Sequence, residues 1–260
     1  MTSLDVDALL IDIDGVLVTS WQALPGSVEA IAALRSGGVP FRLLTNTTTH
    51  ARAGLAQTLR AAGFELADAE IVTAVSATAA YLRSVHPEAK VFLLSDGDPR
   101  ADLGEVTLVD VDDADVIVLG GASEAFAYDV LNRVFRRLQE GAAFVAMHRN
   151  LYWRTSDGFQ LDGGAFVAAL ETASGVSPVV CGKPSADYFD AALRSLGAEA
   201  SRAAMVGDDV VNDVAGAQAA GLAGVLVRTG KFQPGDLERA TPDLVVDSIA
   251  DMPALLGLEA

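Results

Sequence analysis

Short apolar runs rich in β-formers alternate along this chain with stretches of helical period. That alternation is the tightest constraint on its fold, because it predicts βα units on a largely parallel sheet. The first unit joins the strand "ALLIDI", Ala8–Ile13, to a helix over Ser27–Ser36, with Pro25 just before it and Gly37-Gly38 after it. "FRLLTN" is the second strand, leading to a helix over Arg52–Ala62 that Gly63 ends. "EIVTA" is a short strand before a helix near Ser76–Ser84. The middle then changes character. "KVFLLSDG", "VTLVDV", "DVIVLGG" and "AFVAMH" read as strands, with helices over Glu124–Glu140 and Gly164–Ser174, enough for an α/β unit of its own. After it come "SPVVCGK", a helix over Ser185–Leu196, "AAMVGDD", a helix over Val211–Ala220, and "GVLVRTG".

Polar residues concentrate where the strands stop. Asp12 and Asp14 cut the apolar run of the first strand, and burying two carboxylates there costs roughly several kcal/mol each unless something compensates them. Thr45 ends the second strand, Lys183 follows "VVCG", and Asp208, Asp209 and Asp213 follow "AAMVG". Open α/β sheets bind ligands outside the carboxyl ends of their strands, so these four places can converge on one crevice. Each residue type then has a task. A carboxylate can attack phosphorus, grouped acids call for a cation such as Mg²⁺ with its preference for oxygen, a threonine hydroxyl can bond a phosphoryl oxygen, and a lysine can set a point charge beside it. Taken singly, each residue also has an ordinary reading as a turn former, a cap or a surface charge.

Composition narrows the partners. A net charge of −17 repels phosphate backbones and argues against nucleic acid. No apolar run approaches the ~20 residues of a membrane span. The sequence opens without a secretory pattern, and a single cysteine, Cys181, fits a reducing compartment, so a cytoplasmic protein is expected.

In order, "DIDGVL", "LLTN", "GKPS" and "GDDVVND" resemble the signature of the haloacid dehalogenase superfamily of aspartate-nucleophile hydrolases, and the resemblance spans nearly the whole chain. It implies a Rossmann-like, doubly wound parallel core with an inserted α/β cap. The long gap between Thr45 and Lys183 resembles members whose cap follows the second motif, which divides the chain into a core of residues 1–77 and 180–260 and a cap of residues 78–179. It implies a Mg²⁺-dependent phosphatase acting on a small phosphorylated molecule. Asp12 would be the nucleophile and Asp14 the acid and base. Mg²⁺ would be held by Asp12, the backbone carbonyl of Asp14, and Asp208. The phosphoryl group would be held by Thr45, Asn46 and Lys183. Asp213 is implied as an acid orienting metal waters or Lys183, with Asp209 beside it.

Two alternatives keep the same acids: a phosphomutase or phosphotransferase, and a phospho-accepting regulatory module without turnover. The latter should be about half as long and lack the inserted block. A nicotinamide site would need GxGxxG after the first strand, which "DIDGVLVTS" does not supply. His50, His86 and His148 show no metal spacing, and Cys181 reads as a buried thiol. The stretch Met147–Gly158 combines Arg149, Tyr152, Trp153 and Arg154; it is either a cap-surface loop or a dimer contact through which two copies pair as a homodimer, or a substrate-reading loop with Tyr152, Trp153 and Arg154 as its readers.

Overall fold

The computed structural model describes residues 4–97, 99–121, 123–155 and 158–258. The chain divides into two compact units: residues 1–45, 52–72 and 184–260 form the first, and residues 46–51 and 73–183 the second. The contact division thus falls at 72/73 and 183/184 and assigns residues 46–51 to the inserted unit, where the sequence had suggested 77/78 and 179/180.

The first unit is built on a six-stranded sheet in the order Leu244–Val246, Ala223–Val227, Ala203–Gly207, Ala8–Asp12, Phe41–Thr45, Ile71–Thr73. From Ala8–Asp12 the chain steps outward through Phe41–Thr45 to Ile71–Thr73. It then re-enters on the other flank at Ala203–Gly207 and steps outward again. Ala8–Asp12 is parallel to both neighbours, with Leu10 opposite Met205 and Arg42. The strand is apolar and fully buried, as expected of a strand inside a parallel sheet. Leu9, Ile11, Leu43 and Val206 join Ile31 and Leu55 of the flanking helices in one apolar core. Each such side chain contributes about 1.5–3 kcal/mol by leaving water. The reversal of strand order lies between Ala8–Asp12 and Ala203–Gly207, and such a switch point is where open sheets leave a crevice.

The inserted unit carries its own five-stranded sheet, ordered Val179–Val180, Ala143–Ala146, Val116–Leu119, Lys90–Leu94, Thr107–Leu108, with all registers parallel. This is the α/β core-plus-cap class that the alternation and the motifs imply. Among the described residues, no helix is long and apolar enough to cross a membrane.

Some elements differ from expectation for local reasons. The helix predicted from Glu124 begins at Tyr128, because the amide of Phe126 is used in a turn to the Ser123 carbonyl and the Phe126 ring is buried near Phe166. The helix predicted over Val211–Ala220 starts as a wide turn over Val210–Ala215 and continues as a short helix over Gly216–Ala219. In that turn the amide of Val214 reaches back five residues to the Asp209 carbonyl at 3.2 Å. Such π-type turns recur at functional sites. The supposed loop 147–158 contributes a strand, Tyr152–Thr155, paired antiparallel with Gly158–Leu161. Tyr152, Trp153 and Leu161 are all exposed, so no alternation of buried and exposed positions announces this ribbon in the sequence.

Candidate active site

Asp12 is the last residue of its strand and is 6% exposed, which puts its carboxylate at the sheet's carboxyl edge. The chain then turns tightly. The amides of Leu17 and Val18 both bond the Ile13 carbonyl, and Gly15, at φ 83°, bonds the Val18 carbonyl. Asp14 rides on this turn with its side chain exposed. Across the switch point, Asp208 follows directly on Ala203–Gly207 and is 3% exposed.

The wide turn brings Asp213 back to this edge. Asp213 is buried, and its Oδ2 accepts the Asp209 amide at 3.1 Å. A side chain at Gly207 would collide with Asp213, so the approach depends on that glycine. Carboxylate oxygens of Asp12, Asp208 and Asp213 lie within 4.8 Å of one another. Asp209 faces elsewhere. Its Oδ1 accepts the amides of Val211 and Asn212, both at 2.9 Å, and its Oδ2 pairs with Lys231 Nζ at 2.9 Å.

The electrostatics follow from this crowding. Burial, with the carboxylates of Asp12 and Asp213 close by, pushes Asp208 well above the usual carboxylate range despite the opposing charge of Lys231. Burial also acts to raise Asp209, but the Lys231 charge and the bonds from Asn212 outweigh it and hold Asp209 strongly depressed. Lys231 is raised, because Asp208, Asp209 and Asp213 more than offset its own burial. Among the described residues, Oδ1 of Asp208 is buried and has no hydrogen-bond partner. A clustered, all-oxygen set with an unsatisfied buried acceptor suits a hard divalent cation.

Thr45 is buried at the end of its strand, and its carbonyl accepts the Tyr188 hydroxyl at 3.1 Å. The division between the units runs through the proposed phosphate binders, falling between Thr45 and Asn46 and again after Lys183. Within the inserted unit Asn46 and Lys183 are joined reciprocally. The Lys183 amide donates to Asn46 Oδ1 at 2.9 Å, and Asn46 Nδ2 donates to the Lys183 carbonyl at 3.0 Å. Lys183 is 3% exposed.

Tyr152 and Trp153 lie half exposed on the ribbon of the inserted unit, whereas the side chain of Arg154 lies outside the described residues. His148 is buried and accepts the Asn150 amide, and Cys181 is buried beside the Ala143–Ala146 strand, its amide bonded to the Ala146 carbonyl at 2.9 Å.

Sequence reasoning assigned no role to Lys231. The signal was available, since "VRTGKF" runs off the end of another strand, Ala223–Val227, with a glycine and a lysine in the turn.

A parallel sheet with acids gathered at its switch point defines a Rossmann-like α/β scaffold with a candidate cation-binding edge, and comparison with known proteins makes the class specific. Residues 9–108 match the haloacid dehalogenase-like hydrolase family, and residues 180–252 match a second, HAD-hydrolase-like family. The human haloacid dehalogenase-like hydrolase domain-containing protein 2 is 38% identical over 237 residues, covering 90% of this chain and 89% of the relative. The rat phospholysine phosphohistidine inorganic pyrophosphate phosphatase is 35% identical, covering 96% of this chain and 94% of the relative. Among solved structures, the p-nitrophenyl phosphatase from Archaeoglobus fulgidus superposes with a TM-score of 0.89 at 32% identity, covering 96% of this chain and 98% of that one. The chain belongs to the haloacid dehalogenase-like hydrolase family and is an enzyme of the hydrolase class.

Proposed function

We propose that this chain is a Mg²⁺-dependent phosphatase that hydrolyses a small phosphorylated molecule through an aspartyl-phosphate on Asp12. Relatives that carry phosphatase names support the reaction class. The observation that carries the metal-assisted form is the buried trio of Asp12, Asp208 and Asp213, with Asp208 Oδ1 left without a hydrogen-bond partner among the described residues. Carboxylates of Asp12 and Asp208 and the backbone carbonyl of Asp14 would hold the ion, with Asp213 and Asp209 behind them. Bound there, Mg²⁺ supplies the positive charge that lets an anionic phosphate approach an anionic carboxylate.

The protein's own groups do the rest. A carboxylate oxygen of Asp12 attacks phosphorus in line; the O–P bond forms as the bond to the leaving oxygen breaks, and Asp14 gives that oxygen its proton. Asp14, now a carboxylate, takes a proton from water. The water oxygen attacks the phosphoryl phosphorus, releasing inorganic phosphate and restoring the Asp12 carboxylate. The exposed position of Asp14 on its turn fits a group that must meet the leaving oxygen and then water in succession. The Thr45 hydroxyl, the Asn46 amide and the Lys183 ammonium bind the phosphoryl oxygens, and Tyr152, Trp153 and Arg154 of the inserted unit read the leaving group.

The test is a turnover panel of phosphomonoesters, pyrophosphate and phosphoramidates with Mg²⁺, run with wild type and Asp12→Asn. The amide keeps the shape of the side chain and loses its nucleophilic charge, so the variant should lose turnover by about a thousandfold or more, as nucleophile knock-outs do. A folded Asp12→Asn that keeps a tenth of the wild-type rate, or wild-type turnover undiminished in excess chelator, rejects the mechanism.

A further inference from the structure

A turn outside the four predicted marks grips the carboxylate of Asp208. Oδ2 of Asp208 accepts the amide of Lys231 at 2.8 Å. Two glycines with left-handed backbones, Gly15 at φ 83° and Gly230 at φ 66°, press their main chains against the same oxygen. A Cβ on Gly15 would sit 2.2 Å from Asp208 Oδ2, and one on Gly230 would sit 2.0 Å from it. Thr229 ties this turn to the loop that follows Asp12, its hydroxyl donating to the Gly15 carbonyl at 2.6 Å. On the other side, the Lys231 ammonium is anchored to Asp209 at 2.9 Å. One oxygen of Asp208 is therefore held from three directions, while the other, Oδ1, is buried without a hydrogen-bond partner among the described residues.

We propose that the Thr229–Lys231 turn is a positioning element that presents Asp208 to a cation through Oδ1 alone and so biases the acid cluster toward Mg²⁺ over Ca²⁺. This rests on reading the cluster as a magnesium site. The physical reason lies in how the two ions use carboxylates. Mg²⁺ demands near-octahedral geometry at short distance and is served by carboxylates that give one oxygen each. Ca²⁺ takes more oxygens at longer distance and readily draws both from one carboxylate. A carboxylate with one oxygen already bonded and enclosed meets the first requirement and denies the second. Outer partners of metal ligands act in this way when they fix the ligand's orientation rather than touch the metal.

The test is calorimetric titration of the metal-free full-length protein with Mg²⁺ and, separately, with Ca²⁺, in the absence of substrate. Thr229→Val removes the hydroxyl tether while keeping the side chain's shape. Gly230→Ala drives a methyl group into Oδ2. Both variants should bind Mg²⁺ more weakly, by about tenfold for Gly230→Ala and less for Thr229→Val, in the range usual for lost outer partners. Ca²⁺ affinity should hold or rise, so the Mg²⁺/Ca²⁺ affinity ratio falls in both. Circular dichroism establishes that each variant is folded; if Gly230→Ala is not, the ratio for Thr229→Val decides. Ratios unchanged, or both affinities falling in parallel, overturn the role of the turn while leaving the magnesium reading in place. A wild-type protein that hydrolyses phosphate esters yet binds neither ion overturns the magnesium reading itself.

Discussion

The chain builds a parallel sheet twice, and the two sheets treat their carboxyl ends differently. In the first unit the strands run out into Asp12, Thr45, Asp208 and the turn that carries Lys231, and the acids crowd together there. In the inserted unit the equivalent strands run out into Ser95, Gly120-Gly121, Met147 and Cys181. There the ends close on one another. A Cβ on Gly120 would lie 2.3 Å from Ser95 Oγ, and the Gly121 amide is taken by the Thr48 hydroxyl at 2.9 Å. A parallel sheet supplies an edge where backbone groups and helix termini converge, but chemistry appears only where the residues leaving that edge are chemical ones. Where the first residues out are small or apolar and bonded to one another, that stretch of the edge becomes packing; Lys183, two residues beyond Cys181, is the exception proposed above as a phosphate binder.

That contrast can be broken or sharpened by substitution. After Asp12→Asn, the largest effect should come from Asp14→Asn, which removes the proton donor and acceptor and should lower turnover by ~10²–10⁴-fold. The loss should be greatest for alkyl phosphates, whose leaving oxygen most needs a proton. An alkyl-phosphate rate within tenfold of wild type would remove Asp14 from acid–base work. Lys183→Ala asks whether a residue of the inserted unit shares in the chemistry. It should raise KM and lower kcat together, by about a hundredfold in kcat/KM, because the ammonium faces charge present in both ground and transition states. Unchanged kinetics would return Lys183 to a structural role. The double variant Tyr152→Ala, Trp153→Ala should reorder the substrate panel while a small aryl phosphate stays within about tenfold, since leaving-group contacts act on specificity rather than on the bond-breaking step. An unaltered ranking would make the ribbon a surface for packing or pairing.

The smallest effect concerns stability away from the site. Glu70 is depressed below its ordinary value: burial acts to raise it, but the Arg35 guanidinium at 3.0 Å and the Ala67 amide at 2.7 Å outweigh that. A depressed folded-state value means the pair stabilises the fold above the unfolded-state value and loses that contribution as pH falls through the folded-state one. Arg35 is 39% exposed, so solvent screening keeps the effect small. Glu70→Gln should cost about 0.5–1 kcal/mol at neutral pH and nothing at acid pH. Urea midpoints of the two proteins at both pH values measure it, and equal midpoints at neutral pH would reject the assignment.

Most of the fold was legible because parallel strands buried on both faces write themselves as apolar runs. Ala8–Asp12, Phe41–Thr45 and Ala203–Gly207 fall where "ALLIDI", "FRLLTN" and "AAMVG" placed them. The acids were legible only in combination: each alone reads as a turn former or a cap, and their recurrence at successive strand ends pointed to one site. What stayed hidden depends on backbone path rather than side-chain pattern. The sequence showed Asp213 as an acid near Asp208, but not that a wide turn would fold it back onto the same edge. Lys231 was passed over because a lysine after a glycine looks like any exposed turn residue until its amide is seen on Asp208. The boundary near residue 46 was invisible because the chain contributes a few residues to the second unit and then returns to the first.

That brief excursion matters to anyone who recombines such proteins. Residues 46–51 furnish the inserted unit with the Asn46 amide that clasps Lys183 and the Thr48 hydroxyl that takes the Gly121 amide. Residues 73–183 transplanted alone into another scaffold would therefore arrive with the Lys183 and Gly121 amides stripped of their side-chain acceptors. A working chimera has to move two separate pieces of gene, one of them only six codons long.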